Sequence, residues 1–204
     1  MKSNLNIIRP SQIEIEKYLK LWDSLEKYTL QESSLKKLFT KTYPLNNDMD
    51  NVLIKVCSLN DFYSTNIFSP FTVAKHIVEL KIDDSLARED LTIVNKIAKT
   101  KMNNGNVKNF YSFATKYCSH HKPTIYPIYD SYIDHMLVYF KNKDKFCLFS
   151  RENLKSYELF RSILENFRKF YKLEKYDLKQ IDKYLWQAGK EYFPKKYGKN
   201  TNKQ

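Results

Sequence analysis

Residues 103–141, NNGNVKNFYSFATKYCSHHKPTIYPIYDSYIDHMLVYFK, contain the arrangement that decides the fold. Residues 103–106, NNGN, form a polar turn, the only one in the body of the chain that contains a glycine. The apolar residues after it recur at helical spacing and predict a helix. The inward face of that helix carries Val107, Phe110, Phe113, Ala114 and Tyr117, and Lys108, Ser112 and Lys116 lie toward another face.

The stretch YPIYDSYI, residues 126–133, places Asp130 after a proline-containing turn and before a second amphipathic run. Apolar residues at i, i+3, i+4 and i+7 predict that Asp130 opens the next helix. Aspartate is among the best helix N-caps, typically worth about 1 kcal/mol, and many capping aspartates do nothing else. A carboxylate there also accepts backbone N–H bonds and stays ionised, which suits it for chemistry. The residues alone leave both interpretations open.

The rest of the chain predicts helices nearly throughout, joined by polar loops. With only 3 glycines and 6 prolines, the sequence offers few tight turns for a many-stranded sheet. Helix starts are predicted at Ser11, at Ser69-Pro70 and at Asp177, where Gln180 completes a capping box, and Gly189 is predicted to end that last helix. A long helix is predicted from about Ser150 to Tyr171. The prediction is an all-α protein of nine or ten helices with no convincing strand: one domain over residues 1–193, followed by a basic, disordered tail over residues 194–204.

Composition indicates the class of partner. The formal charge is +12, and polyanions are the default partner of so basic a protein, although a lysine-rich proteome explains the charge equally well. Three widely spaced cysteines fit reduced thiols in a cytosol, and His120, His121 and His135 lack metal-ligand spacing, so neither metal nor cofactor is expected. The N-terminus has no secretory signal and no run approaches the length of a membrane span, so we expect a cytoplasmic protein without a membrane partner.

Taken together, the polar turn, helix, proline-bearing loop and Asp-led helix resemble the core of the helix-hairpin-helix DNA glycosylase superfamily. The segments SFATKY…YPIYDSY, LNDFYSTNIFSPFTVAKHI upstream and IDKYLWQAGKEYF near the end are most similar to its divergent bacterial branch with an 8-oxoguanine DNA glycosylase-type fold. The resemblance covers about half of the chain. It departs from the family at the hairpin, where MNNGNVKN offers one glycine in place of the usual two, which weakens the inference of duplex binding.

The resemblance implies roles for individual residues. Asp130 would be the catalytic carboxylate, and Lys116 or Lys108 the lysine nucleophile, with phosphate contact as the alternative for Lys108. Trp186 and Gln187 would form a wall of the base pocket, although a packed core explains Trp186 as well. Contacts with nucleic acid are expected from Gly105, Asn106, Lys108, Asn109, Lys122, Tyr63 and Asn66, the last two as wedges into DNA vacated by a flipped base.

The activity that the resemblance implies is a DNA N-glycosylase and AP lyase, acting on a damaged or modified base such as an oxidised purine. Relatives of this branch also imply a phage-defence setting with partner proteins. The alternative is a catalytically inactive nucleic-acid-binding module that keeps the glycosylase fold, which the missing hairpin glycine favours. The target base, the strand state and the oligomeric state stay open.

Overall fold

The computed structural model describes residues 6–194, which form a mostly helical protein. Most of the predicted basic tail, from residue 195 onward, lies outside the described residues. A π-helical turn (Leu38–Thr42), a 3-10 helix (Arg151–Lys155) and two short strands supplement the α-helices. Ten α-helices are described: α1 (Gln12–Ser24), α2 (Glu26–Lys37), α3 (Met49–Tyr63), α4 (Pro70–Glu79), α5 (Asp83–Ala87), α6 (Thr92–Ala98), α7 (Tyr111–His121), α8 (Ser131–Asp144), α9 (Tyr157–Phe170) and α10 (Leu178–Tyr192). The all-α prediction is confirmed at this level.

Several helices begin where the sequence predicts. Ser11 caps α1 by accepting a hydrogen bond from the Glu14 backbone N–H, and Pro70 is the first residue of α4. Asp177 and Gln180 form the reciprocal capping box of α10. These signals are reliable because a cap and the first turn that it closes are neighbours in the chain.

All ten α-helices contribute to one buried hydrophobic cluster. Helix α10 packs against both α1 and α8, while α3 packs against α4 and α6 against α7. Aromatic rings fill much of this core, including Tyr18, Tyr117, Tyr157, Phe160 and Tyr184. Among the helices within residues 6–194, none is both long and apolar enough to cross a membrane.

The prediction of a helix starting at Val107, with no strand, is wrong. Strand β1 (Lys99–Lys101) pairs antiparallel with strand β2 (Val107–Asn109), and α7 starts only at Tyr111. Gly105 turns the hairpin at a φ of +82°, in the left-handed region that glycine enters readily. Val107 is 64% exposed and takes no part in the inward face predicted for it. Three-residue strands are too short to show a period of two in the sequence.

Two predicted helix boundaries are also wrong. The long helix expected from Ser150 is broken, because Ser150 caps the 3-10 helix and the extended backbone of Ser156 separates that helix from α9. Helix α10 continues past Gly189 to Tyr192. Gly189 faces Tyr132 so closely that an added Cβ would lie 2.7 Å from the Tyr132 Cβ. This glycine therefore serves close helix packing and does not terminate the helix.

Candidate active site

A cleft of about 600 Å³ opens between the start of α8, one face each of α7 and α10, helices α1 and α2, and the end of α3 with the loop that follows it. Lys116 and Asp130 both line it. The expected wedge residues Tyr63 and Asn66 and the expected pocket residue Trp186 line it as well. The cleft thus brings together residues that lie far apart in the chain, from Trp22 to Lys190.

Asp130 is the N-cap of α8. Its Oδ1 accepts hydrogen bonds from the backbone N–H groups of Tyr132 at 2.9 Å and Ile133 at 3.0 Å. Both capping bonds use the same oxygen, so Oδ2 takes no part in the cap. The predicted capping role is confirmed, and it fixes the carboxylate at the edge of the cleft without consuming both of its oxygens.

The loop before Asp130 is held by hydrogen bonds from several helices. Tyr157 Oη donates to the Pro127 carbonyl at 2.8 Å, and the Ile128 N–H donates to Asp182 Oδ2 at 2.7 Å. Ser112 Oγ on α7 donates to the Tyr129 carbonyl at 3.0 Å. These contacts leave little freedom for the backbone that positions Asp130.

Lys116 lies on α7, one turn after Ser112, and is only 5% exposed. Its Nζ donates to Ser112 Oγ at 2.6 Å and lies 5.3 Å from the centre of the Tyr63 ring. Since Ser112 also donates to the Tyr129 carbonyl, one hydroxyl connects the lysine to the residue before Asp130. Lys116 and Asp130 therefore belong to one hydrogen-bonded frame at the cleft wall.

Asp182 on α10 also lines the cleft and was not predicted as a site residue. It is 3% exposed, its Oδ2 accepts the Ile128 N–H, and its Oδ1 has no hydrogen-bond partner among residues 6–194. Burial raises the pKa of Asp182 to about 8 against the opposing attraction of Lys179 and Lys116, while Asp130 adds to the rise. A charged residue on the apolar face formed by Leu178, Ile181 and Leu185 is the sequence signal that could have identified it.

Aromatic side chains form one wall of the cleft. Trp186 meets Trp22, Tyr28 and Tyr132 with ring centroids 5.9, 5.1 and 6.3 Å apart, all close to edge-on. Lys190 Nζ lies 4.9 Å from the Trp186 ring centre and donates to Tyr28 Oη at 2.6 Å. Of these rings only Trp186 was predicted to line the site, because the others come from elements that the sequence does not connect to α10.

Lysines and one glutamate line the same side of the cleft. Glu32 on α2 pairs with Lys179 at 3.3 Å and with Lys183 at 2.8 Å. Burial opposes ionisation of Glu32, but the attraction of these two lysines outweighs it and lowers the pKa of the carboxyl. The lysines that line the cleft are Lys116, Lys155, Lys179, Lys183 and Lys190.

Tyr63 faces inward at the cleft. Its hydroxyl lies 3.1 Å from His120 Nε2. Burial lowers the pKa of His120 well below its usual value, so the ring is neutral and can accept a hydrogen bond from the Tyr63 hydroxyl. Asn66, in contrast, is exposed at a φ of +58° in the loop after α3.

The remaining predicted site residues lie away from the cleft. Lys122 donates to the Ala87 carbonyl at 3.1 Å and pairs with Glu89 at 3.2 Å. Gln187 is buried and donates to the Tyr18 and Lys183 carbonyls, which ties α10 to α1. The others, Gly105, Asn106, Lys108 and Asn109, lie exposed on the β-hairpin. Of the two candidate nucleophiles, the cleft includes Lys116 and not Lys108.

Comparison with known proteins places the chain in a family. Over 148 residues it is 46% identical to an uncharacterized protein of Haemophilus influenzae, and the alignment covers 72% of this chain and 68% of that relative. No solved structure matches the chain. Residues 14–125 match the family described as the HI_0787_N N-terminal domain, a segment that includes Lys116 and ends before Asp130. The chain therefore belongs to the HI_0787_N family.

Proposed function

We propose that the protein is a DNA N-glycosylase and AP lyase of the helix-hairpin-helix type, acting on a damaged or modified base such as an oxidised purine. The observation that carries the proposal is the single cleft lined by both Lys116 and Asp130. An amine and a carboxylate at one site are the two groups that a bifunctional base-excising enzyme requires.

Asp130 serves as the electrostatic stabiliser in this proposal. Breaking the bond between the base and C1′ leaves positive charge on the sugar, and a fixed anion lowers the energy of that state. The capping bonds to Oδ1 hold the carboxylate in a fixed orientation, and Oδ2 takes no part in them. The capping and catalytic roles are therefore compatible.

Lys116 serves as the nucleophile. Its neutral Nζ forms a bond to C1′ after the base has left with the electron pair of the N-glycosidic bond. The C1′–O4′ bond then opens, with a proton moving from nitrogen to O4′, and gives the iminium (Schiff base) that precedes strand cleavage. Lys116 is nearly buried and its Nζ donates to Ser112 Oγ, which fixes the position of the nucleophile at the cleft wall.

The wall formed by Trp22, Tyr28, Tyr132 and Trp186 suits a flat base removed from the stack. Aromatic side chains hold extrahelical bases by stacking, at about 1–3 kcal/mol per base. The lysines beside them, Lys183 and Lys190, suit the phosphates that flank a flipped nucleotide. The nucleic-acid partner is thus proposed from the chemistry of the cleft and the charge of +12.

Borohydride trapping tests the proposal. The protein is incubated with oligonucleotides that carry an abasic site or one of a panel of oxidised and alkylated purines, single-stranded and duplex. We expect a covalent adduct that borohydride fixes as a secondary amine, lost in Lys116→Ala and kept in Lys108→Ala, the matched lysine outside the cleft.

A folded wild-type protein that gives neither adduct nor base release with any substrate would refute the enzyme. If it still binds DNA, and Asp130→Asn binds equally well, the protein is the inactive binding module. An adduct that persists in Lys116→Ala and disappears in Lys108→Ala would identify Lys108, on the hairpin, as the nucleophile.

A further inference from the structure

Asp182 is the buried carboxyl group for which the proposed chemistry has no role yet. Its Oδ1 lacks a hydrogen-bond partner among residues 6–194. The side chain lines the cleft and is only 3% exposed. A buried polar atom without a partner lowers stability, because it has lost its bonds to water without gaining others. At the edge of a ligand-sized cleft, such an atom points to a bond that a ligand completes.

Groups from six parts of the fold surround Asp182. The Ile128 N–H donates to its Oδ2, and Lys179 and Lys116 attract its charge from α10 and α7. Asp130 at the start of α8 repels that charge. Burial raises the pKa of the Tyr63 hydroxyl on α3 and of the Tyr157 hydroxyl on α9, and the negative charge of Asp182 adds to both increases. Both hydroxyls therefore stay protonated.

We propose that Asp182 is the general acid that protonates the base as it leaves, a catalytic role that rests on the proposed glycosylase function. The geometry assigns this role to Oδ1, the unpartnered oxygen of a buried side chain that lines the cleft. In this proposal the Asp130 carboxylate stabilises the positive charge on the sugar, and the Asp182 carboxylic acid protonates the leaving base.

The step balances as follows in atoms and electrons. The bond between C1′ and the base nitrogen breaks, and both electrons stay with the base. The Asp182 proton moves to a ring nitrogen of that base, which departs neutral, and Asp182 becomes a carboxylate. Lys116 then bonds to the electron-poor C1′, one proton of the ammonium formed moves to O4′ as the C1′–O4′ bond opens, and Asp182 regains its proton from solvent.

The surroundings support both charge states of Asp182. Burial raises its pKa to about 8, so the carboxyl holds its proton at neutral pH. After transfer, the charge of Lys179 and the Ile128 N–H stabilise the carboxylate. Environments that separate the pKa values of two carboxyls in one site are typical of acid and stabiliser pairs.

Comparing two reactions of Asp182→Asn tests the inference. The amide oxygen keeps an acceptor for the Ile128 N–H, so the fold is conserved. Release of an oxidised purine needs the acid, and we expect it to fall about 100-fold, within the range for general acids. Adduct formation and cleavage at a preformed abasic site involve no departing base, and we expect these rates to change less than about threefold.

Equal loss in both reactions, or unchanged base release, would overturn the role of Asp182 while leaving the glycosylase intact. If the wild type releases no base and gives no adduct, the proposed function itself fails, which is a different result.

A measurement on the wild type needs no variant. Base release at subsaturating substrate is expected to fall as pH rises through about 8, where Asp182 loses its proton. A rate that is level or still rising from pH 7 to pH 9 would contradict the acid role even if Asp182→Asn failed to fold.

Discussion

Gly189 on α10 lies against Tyr132 on α8, so that a Cβ added at position 189 would be 2.7 Å from the Tyr132 Cβ and 2.8 Å from its carbonyl oxygen. This contact sets the spacing of the two helices that carry Asp182, Trp186 and the Asp130 cap. We expect Gly189→Ala to separate the helices and to lower the free energy of unfolding by about 1–3 kcal/mol, as overpacking does.

The matched control is Gly105→Ala. Nothing lies within 4 Å of an added Cβ there, and only the φ of +82° opposes it, at a cost of about 1 kcal/mol. Denaturant unfolding gives both stabilities, and tryptophan emission reports the cleft. Gly189→Ala should shift that emission and Gly105→Ala should not, and a Gly189→Ala protein with wild-type stability and emission would contradict the packing argument.

Substitutions at Asp130 should separate its capping role from its proposed chemistry. Asn caps helices as well as Asp does, so Asp130→Asn should keep wild-type stability, whereas Asp130→Ala should lose about 1 kcal/mol. Both variants remove the negative charge, and base release should fall at least about 100-fold in each. Thermal unfolding and single-turnover base release measure the two effects. Activity that follows stability, lost in Ala and kept in Asn, would reduce Asp130 to a cap.

Ser112→Ala removes the hydroxyl that accepts from Lys116 and donates to the Tyr129 carbonyl. The lysine keeps its place on α7 but loses its orientation, so the rate of borohydride trapping should fall about tenfold with little change in DNA affinity. Thr115→Ser, which keeps a hydroxyl beside the same Tyr129 backbone, is the control. A trapping rate unchanged in Ser112→Ala would show that Lys116 is positioned by its other contacts.

The stability of the protein should depend on Asp182 in a defined pH window. Burial raises the pKa of Asp182 in the folded protein to about 8, above its ordinary value of 3.8, so the folded state holds more protons between these values. Stability from this group is therefore greatest below about pH 4 and is lost as pH rises toward 8. Asp182→Asn removes that loss. The unfolding free energy of the variant, relative to that of the wild type at the same pH, should therefore increase by a few kcal/mol from pH 4 to pH 8.

Burial of His121 acts in the opposite direction, because it lowers the pKa of that ring to about 3 and favours unfolding in acid. Comparing wild type and Asp182→Asn at each pH cancels this contribution, which both proteins share. A difference between them that does not vary from pH 4 to pH 8 would mean that Asp182 is ionised in the fold.

Tryptophan fluorescence should report occupancy of the cleft, because both tryptophans of the chain, Trp22 and Trp186, line it. Single-stranded DNA with an oxidised purine should quench their emission by stacking, and Trp186→Ala should weaken binding about 5- to 150-fold, corresponding to about 1–3 kcal/mol. The control is Phe68→Ala, an exposed aromatic that does not line the cleft. Saturable DNA binding without any change in emission would place the nucleic acid elsewhere, with the β-hairpin as the next candidate.

The parts of the fold that the sequence predicted are local. Ser11, Asp130 and Asp177 were predicted as helix starts because each cap lies within three residues of the N–H groups that it accepts from. The hairpin was missed because its strands have three residues each. Gly189 was wrongly predicted to end the helix because the residue that it packs against, Tyr132, lies 57 positions earlier in the sequence. Glycine marks both kinds of position, and only the neighbours distinguish them.

Local patterns predicted the candidate site only along the segment from Lys116 to Asp130, where one helix and one loop bring the residues together. Tyr63, Asn66 and Trp186 also line the cleft, but they were expected only from the family resemblance. The aromatic wall depends on how α1 and α2 pack against α10, and no local pattern in Trp22 or Tyr28 encodes that packing. Asp182 lies between these cases. Its position on an apolar helix face was visible, but its unpaired oxygen and its place at the cleft are properties of the packed structure.

Glu32 supplies the cleft with its own counter-ion. If DNA binds in the cleft as proposed, a phosphate that enters between Lys179 and Lys183 displaces this carboxylate, and the freed carboxylate recruits a cation from solution. That uptake offsets one of the cations that the DNA releases, so affinity should fall with salt less steeply than the number of neutralised phosphates implies, by about one unit of slope. The exchange also breaks the two ion pairs between α2 and α10, so anion binding and this part of the attachment of α2 share the same two lysines.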